Sequence, residues 1–364
     1  MSPTKKYLDY IVNPTESLRT KTVLKVNPTI APVREEPAEI KITVYEYDKD
    51  RSACRELKSI SECFAFLQTT SNTWINIDGL KKDEVENICS QFGIHQLLTE
   101  DILSVGQRPK MDDINGIVFC LLYMLYFNEQ DSSVETEQIS IVLGKNFVIS
   151  FQEDAGRDVF DQLRDKIKVS GSKVRQSGAD FLYYSLIDLI VDHFYVVMEK
   201  LGEKMELLEE DIMRNADKRS LVRISMLRKE MIVLKRNVAP VRDIINGILR
   251  GESELIDEKT QKYFKDIYDH IVQANDLAEN YRDMMMNMQD LYLNTVNLKL
   301  NEVMKVMAIV TCLLAPATVI GGIFGMNFQT IPLLHNHWGF FISVGLMILI
   351  PVWMIFAFKK RGWF

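Results

Sequence analysis

The apolar and polar positions divide the chain into two unlike parts. In the first 305 residues, charged side chains are frequent and apolar positions recur with the periods of strands and helices. Residues 306–358 contain no Asp, Glu, Lys or Arg, and the apolar stretches 306–326 and 338–358 are each long enough to cross a bilayer as a helix. We therefore predict an N-terminal part that folds in water, followed by two transmembrane helices joined by a short loop at 327–337.

Residues 39–177 mix the patterns of strands and helices. Alternating or continuous apolar runs predict four stretches of strand, at 39–47, 73–77, 117–127 and 139–151, with a turn at Lys145–Asn146 inside the last. Amphipathic spacing predicts helices at 82–92 and 158–169. The mixture predicts an α/β/α layered domain. The preceding residues 1–38 are polar, and we interpret them as a flexible tail.

Three long helices are predicted after this domain. Two of them, at 179–214 and 218–249, form a helical hairpin at 178–250 with an acidic tip. The third begins near 255, forms a stalk helix to 305 and continues without interruption into the first transmembrane helix, a length of ~100 Å. Its apolar seam recurs at spacings of three and four: Phe264, Ile267, Ile271, Ala274, Ala278, Tyr281, Met285, Met288, Tyr292 and Thr295.

A second row of this helix, here called the polar stripe, continues into the membrane segment. Its members are polar, small or Met: Asp290, Asn294, Asn297, Asn301, Met304, Met307 or Ala308, Thr311, Ala315, Thr318 and Gly322. A helix that faces lipid alone has no use for such a row, whereas a helix that lines a narrow water column does. A packing face of small residues is the alternative, and it explains Ala315 and Gly322 but not the Asn-rich end.

Composition excludes several classes of function. The formal net charge is −7, and an acidic protein repels the phosphates of nucleic acid but suits the handling of cations. The five cysteines are scattered and are typical of reduced cytosolic thiols. The five histidines have no catalytic companions at useful spacing, and no phosphate-binding GxxxxGK[ST] sequence occurs. We therefore expect neither an enzyme nor an ATP-driven pump.

Basic residues orient the predicted hairpin in the membrane. Lys305 precedes the first transmembrane helix, and the basic tail at 359–364 follows the second. By the positive-inside rule both ends face the cytosol and the loop at 327–337 faces outside. We expect a multi-pass protein of the cell (inner) membrane.

Several segments together resemble the CorA family of Mg²⁺ transporters. Gly325-Met326-Asn327 closes the first predicted transmembrane helix. The other similar segments are Asn301–Val306, Pro316, Lys359–Phe364, Glu100–Leu103, Gln107–Lys110, Asp180–Asp192 and Lys265–His270. The resemblance runs from about residue 40 to the C-terminus, and the position of the Gly-Met-Asn sequence after one of only two C-terminal spans makes it specific.

The resemblance implies a homopentameric funnel in the lipid bilayer that transports chiefly Mg²⁺, with Co²⁺ and Ni²⁺ as further cargo. Five copies of the polar stripe line the pore, and five copies of Asn327 ring its outer mouth, where neutral amides bind a hydrated ion without stripping it. Gly325 is expected to let the backbone turn so that Asn327 faces the axis. Met304 and Met307 form a hydrophobic constriction.

The resemblance also implies regulation by cytosolic Mg²⁺. Asp101 of one subunit and Asp266 of its neighbour flank a regulatory ion, with Glu100 and Asp269 as further candidates. Two alternatives stay open. One is a zinc-transporting relative, favoured by His335 and His337 in the outer loop and opposed by Met326. The other is a membrane-anchored sensor without a pore, opposed by the polar stripe.

Overall fold

The computed structural model describes residues 37, 40–157, 159–251, 253–327, 331–333 and 336–362. The predicted flexible tail, apart from Pro37, lies outside the described residues, as does His335. The chain forms two compact units. The first comprises the described residues up to Glu210 together with Leu221–Asn287, and the second comprises Asp211–Ser220 and the described residues from Met288 onward. The domain boundaries predicted above stay predictions.

A seven-stranded mixed sheet forms the centre of the first unit, with the order β2-β1-β3-β7-β6-β5-β4. Only β3 and β7 are parallel neighbours in this sheet, and the other neighbours are antiparallel. The strands are β1 (Lys41–Tyr47), β2 (Ser52–Leu57), β3 (Asn72–Asp78), β4 (Lys110–Ile114), β5 (Ile117–Asn128), β6 (Ser133–Leu143) and β7 (Phe147–Gln152).

Eight α-helices accompany the sheet among the described residues. Four are short: α1 (Lys82–Gln91), α2 (Gln96–Leu103), α3 (Asp161–Lys168) and α4 (Lys173–Gln176). Four are long: α5 (Ala179–Asn215), α6 (Lys218–Arg250), α7 (Glu258–Phe324) and α8 (Gly339–Lys360). Short 3₁₀ helices occupy Ile60–Gln68 and Ala155–Arg157.

Helices cover both faces of the sheet, as the predicted α/β/α layering requires. On one face, Phe160 at the start of α3 packs edge-on against Trp74 of β3, and Tyr183 of α5 contacts Cys120 of β5. On the other face, Phe92 beside α1 packs against Phe147 of β7. The continuous apolar sequence of β5 follows from this arrangement, because a strand that is buried on both faces cannot alternate with polar residues.

The apolar seam of α7 is buried as predicted from Phe264 to Ala278, and Met285 is buried as well. Phe264 contacts Tyr183 and Tyr184 of α5, and Tyr195 donates a 2.6 Å hydrogen bond to the carbonyl of His270. The first part of the seam therefore packs against another helix of the first unit.

Three described helices are long and apolar enough to cross a membrane: α5, α7 and α8. In α5, 61% of the most apolar stretch is buried, compared with 6% in α7 and in α8. The apolar residues of α5 are therefore used by the core of the first unit. The sequence prediction named the two exposed stretches and not α5.

The second unit places the C-terminal part of α7 beside α8. Lys305 Nζ lies 3.5 Å from the carbonyl of Gly362, and a Cβ on Gly321 would lie 3.7 Å from Met347 of α8. The two helices are therefore antiparallel neighbours. Each contains an internal proline, Pro316 in α7 and Pro351 in α8.

The predicted strands and helices are found within a few residues of their expected bounds. The exception is the run 139–151, which is two strands, and the first of them begins earlier, at Ser133. The helix expected from residue 158 begins at Asp161. Two edge strands, β2 and β4, and the helix α2 were not predicted, because their sequences are short and rich in polar residues.

Adjacent methionines on α7 test how much the buried seam contributes to stability. Met285 is 4% exposed and Met286 is 54% exposed. We expect Met285→Ala to lower the free energy of unfolding by about 2–5 kcal/mol, because it leaves a cavity. Met286→Ala should have little effect. Thermal unfolding of the full chain in detergent measures the difference, and equal shifts for the two variants would contradict the assignment of the seam.

Candidate functional site

The Gly-Met-Asn sequence lies at the end of α7. The last helical residue is Phe324, and the amide of Gly325 still donates a 2.9 Å hydrogen bond to the carbonyl of Gly321. Asn327 follows three residues after the helix and is exposed. The expectation that Gly325 directs Asn327 toward the axis stays a prediction. Gly325 lies in the turn directly after the helix and is not among the described glycines with positive φ, so this turn needs no left-handed backbone there. Its missing side chain matters instead for close approach, because a Cβ would lie 3.1 Å from the Gly321 oxygen.

All members of the polar stripe from Asp290 to Gly322 are exposed in the single chain. The hydroxyl groups of Thr311 and Thr318 form hydrogen bonds within the helix. Thr311 donates to the carbonyl of Met307 at 2.8 Å, and Thr318 donates to that of Leu314 at 2.9 Å. These threonines therefore need no water to satisfy their hydroxyl protons. The asparagines differ, because a carboxamide has two N–H donors and an acceptor, more than one helical carbonyl can satisfy.

Helix α8 covers one side of α7 and leaves part of the stripe open. Gly321 faces Met347 of α8, whereas a Cβ on Gly322 would meet no atom within 4 Å. The two adjacent glycines thus differ in their surroundings. A Cβ at position 321 would make an ordinary contact with α8, whereas position 322, which belongs to the stripe, has no neighbour on α8.

Asp101 lies on α2 and is largely buried. Its carboxylate Oδ2 is 2.5 Å from Nζ of Lys110, the first residue of β4, and the two side chains are 12% and 36% exposed. Sequence reasoning singled out Asp101 and quoted Lys110 only as part of a similar segment. The ion pair between them depends on how α2 and β4 meet in the fold, so spacing along the chain could not have identified it.

Buried hydrogen bonds hold this region in place. Gln138 of β6 donates to the carbonyls of Asp101 and Ile102, each at 3.3 Å. Tyr123 of β5 donates to the carbonyl of Gln107 at 2.9 Å. Both ends of the segment between α2 and β4 are therefore attached to central strands of the sheet.

Asp266 and Asp269 are exposed on α7, and Glu100 is exposed on α2. Each of the three can therefore meet a cation or another protein surface. Asp266 also lies close enough to α5 for its negative charge to act on Asp188. The described chain thus pairs Asp101 with Lys110, and it places Asp266 near a different group of titratable side chains.

That group consists of Asp188, Asp192 and His270, and one ligand atom from each lies within 4.8 Å of the others. Nδ1 of His270 is 3.8 Å from Oδ1 of Asp192. Burial, together with the charge of Asp192, raises the pKa of Asp188 to about 6. Sequence reasoning quoted the segments but not these residues as ligands, although the spacing of four between Asp188 and Asp192 on one helix was an available signal.

Comparison with known proteins gives a family match over most of the chain. Residues 70–360 match the family described as CorA-like Mg²⁺ transporter protein. The chain is 37% identical over 312 residues to the cobalt/magnesium transport protein CorA of Thermotoga maritima, covering 85% of this chain and 89% of that protein. It is 29% identical to the putative metal ion transporter YfjQ of Bacillus subtilis, covering 80% and 89%.

Structural and more distant sequence comparisons agree with this match. The fold is similar to the complete structure of the CorA magnesium transporter from Methanocaldococcus jannaschii, with a TM-score of 0.71, 22% identity, and coverage of 89% and 98% of the two chains. The zinc transport protein ZntB of Yersinia pestis is 20% identical over 88% of this chain and 95% of that protein.

Proposed function

Because the chain belongs to the CorA-like Mg²⁺ transporter family, we propose that it mediates the gradient-driven uptake of hydrated divalent cations, chiefly Mg²⁺, with Co²⁺ and Ni²⁺ as further cargo. The observation that carries this proposal is the family match over residues 70–360, which includes both exposed apolar helices and the Gly-Met-Asn sequence. An inside-negative potential favours entry of a dication by about 4.6 kcal/mol per 100 mV.

The proposed topology has two spans, at 306–326 and 338–358, in the cell membrane with both ends in the cytosol. The exposed apolar surfaces of α7 and α8 and their antiparallel contact support it. Lys305 and Gly362 lie together at one end of this helix pair, which agrees with a single cytosolic side for the basic residues that flank the spans.

Two helices cannot enclose a pore, so the proposal requires several copies of the chain. A homopentamer is the assembly that the family resemblance implies. Five copies of α7 line the pore with the polar stripe, while α8 covers the side of α7 that carries Gly321. Because Gly322 is not covered by α8, its side of the helix is open to the ion path or to another copy.

Asn327 is proposed as the selectivity ring at the outer mouth, with Gly325 and Met326 placing it just beyond the helix end. Mg²⁺ holds its water tightly, and amide oxygens accept hydrogen bonds from that water. A ring of carboxylates would attract the ion more strongly and release it more slowly.

Removal of the Asn327 amide tests this function directly. We expect Asn327→Ala to lower the initial rate of Mg²⁺ uptake into proteoliposomes by about tenfold or more, equivalent to about 1.4 kcal/mol. Asn336→Ala is the matched control, since it removes an amide from the same loop region, where Asn336 accepts a 3.0 Å bond from the Trp338 amide. Equal uptake by the Asn327 variant and the parent would reject the selectivity ring, and no uptake by the parent would reject the transport function.

Met304 and Met307 are proposed as the constriction that closes the pore. Both side chains are exposed in the single chain and lie one helical turn apart, so five copies bring two rings of apolar side chains to the axis. Such a constriction stops ions by excluding water, without a physical plug.

Truncation of one ring should open this constriction. We expect Met307→Gly to raise the Mg²⁺ leak several-fold when the Mg²⁺ concentration on the cytosolic side is high. Val306→Gly controls for the introduction of a flexible glycine, because Val306 is exposed on the same helix but lies off the stripe. A fluorescent Mg²⁺ indicator inside liposomes measures the leak, and equal leaks in the two variants would exclude Met307 from the gate.

Regulation is proposed to arise where Asp101 of one subunit approaches Asp266 of the next. A Mg²⁺ ion between the two carboxylates holds the subunits closed, and its loss favours the open state. Glu100 and Asp269 are further ligand candidates, and the group of Asp188, Asp192 and His270 extends the negative potential around Asp266. The exposure of Asp266 and Asp269 supports their contact with another subunit.

Protection from proteolysis measures this regulation. Mg²⁺ should protect the parent protein, and we expect Asp101→Ala/Asp266→Ala to lose most of that protection. Asp161→Ala/Asp165→Ala removes the same charge from two exposed positions of α3 and should keep it. Full protection of the first double variant would show that the regulatory ion binds elsewhere.

Zinc is the second candidate cargo, because relatives named as zinc transporters share most of the chain length. The identity to them is lower, 20% compared with 37% for the Thermotoga maritima protein. Uptake of Zn²⁺ and Mg²⁺ by the same liposomes separates the two cargoes. A membrane-anchored sensor without a pore would take up neither.

A further inference from the structure

Lys110 forms an ion pair with the carboxylate of Asp101, which is a ligand of the proposed regulatory ion. Its Nζ atom lies 2.5 Å from Oδ2 of Asp101, in direct contact as an ion pair. Mg²⁺ binds through carboxylate and other oxygen atoms. The ammonium group and a divalent cation therefore compete for the same oxygen atom.

The fold holds both partners of this ion pair in place. Lys110 begins β4 and lies opposite Leu121 in the antiparallel pair with β5. The carbonyl of Asp101 accepts a hydrogen bond from Gln138 of β6. Because both backbones are attached to the sheet, only side-chain rotamer freedom is lost when the two groups meet.

A second ion pair in the same segment offers a direct comparison. Arg108 Nη2 lies 3.9 Å from Oδ2 of Asp243 on α6, and these side chains are 71% and 61% exposed. Ion pairs with such exposure contribute little because water screens them. The Lys110–Asp101 pair is shorter and is 36% and 12% exposed, so its charges interact through less water.

We propose that Lys110 is a tethered counter-ion that sets the concentration of Mg²⁺ at which the regulatory site fills. Without Mg²⁺, the ammonium group neutralises Asp101. When Mg²⁺ binds, Lys110 moves off the carboxylate and the ion takes its place. This inference rests on the proposed regulatory role of Asp101 and adds a residue that tunes its sensitivity.

The effect of this competition on the apparent dissociation constant for Mg²⁺ can be calculated. If the pair is closed about 90% of the time, only about a tenth of the sites can accept the ion, and the apparent dissociation constant rises about tenfold. The same competition changes the physical account of opening. Loss of Mg²⁺ does not leave Asp101 as a bare charge facing its neighbour, because Lys110 returns to it.

Substitutions of opposite effect test the proposal on the full-length protein in detergent. The readout is the Mg²⁺ concentration that gives half-maximal protection from limited proteolysis. Lys110→Met keeps the aliphatic stem and removes the competitor, so this concentration should fall by about three- to tenfold. Lys110→Arg places a bidentate donor on Asp101, so the concentration should rise.

Arg108→Met is the matched control, because it removes one positive charge from the same segment without touching Asp101. A shift equal to that of Lys110→Met would mean that net charge alone acts, and it would overturn the proposal. A higher half-maximal concentration for Lys110→Met would overturn it too, since Lys110 would then position Asp101 for the ion rather than compete with it. If Lys110→Met does not fold, as judged by its thermal unfolding, an unchanged value for Lys110→Arg is sufficient to reject the proposal.

Asp101→Asn separates this inference from the function on which it rests. If this variant keeps the parent's Mg²⁺ protection, the proposed regulatory site itself fails. If it loses protection while Lys110→Met and Arg108→Met behave alike, the site stands and only the role of Lys110 fails. Adding Lys110→Met to Asp101→Asn should produce no further shift, because the carboxylate charge for which the ammonium competes is already absent.

Discussion

The uncharged surface shared by α7 and α8 is the constraint on which the rest of the molecule depends. Large apolar side chains along both helices, among them Val306, Leu314 and Phe340, are exposed in the single chain. Each square ångström of such surface costs roughly 25 cal/mol in water. Hydrocarbon removes this cost, and further copies of the chain would remove part of it in the proposed assembly.

The two parts of α7 differ in how their apolar side chains are removed from water. Its seam from Phe264 to Met285 is buried by aromatic and aliphatic side chains of the first unit, and carboxylates such as Asp266 and Asp269 remain on the exposed side. After residue 305 the charges stop, while the polar stripe continues. One helix therefore carries both the proposed sensing carboxylates and the proposed pore lining.

The long helices could be predicted from the sequence because their apolar periodicity extends over many turns. The edge strands β2 and β4 could not, since Ser52–Leu57 and Lys110–Ile114 have little apolar content and are strands through pairing with β1 and β5. At the candidate site, Asn327 was located by its motif, and its position after the helix end agrees with that expectation. Lys110 was missed as the partner of Asp101, because this contact depends on tertiary geometry that residue type does not specify.

Pro316 gives the uncharged part of α7 one further property. Proline has no amide proton, so the carbonyl of Cys312, four residues earlier, loses its usual helical donor. Hydrocarbon offers no replacement, and an unpartnered backbone oxygen in a bilayer core costs several kcal/mol. This oxygen therefore needs a partner from water, a hydroxyl group, a neighbouring helix or a local adjustment of the α7 backbone. The proline marks the level of the proposed span at which α7 most needs a neighbour other than lipid, and it is also where a straight helix bends most readily.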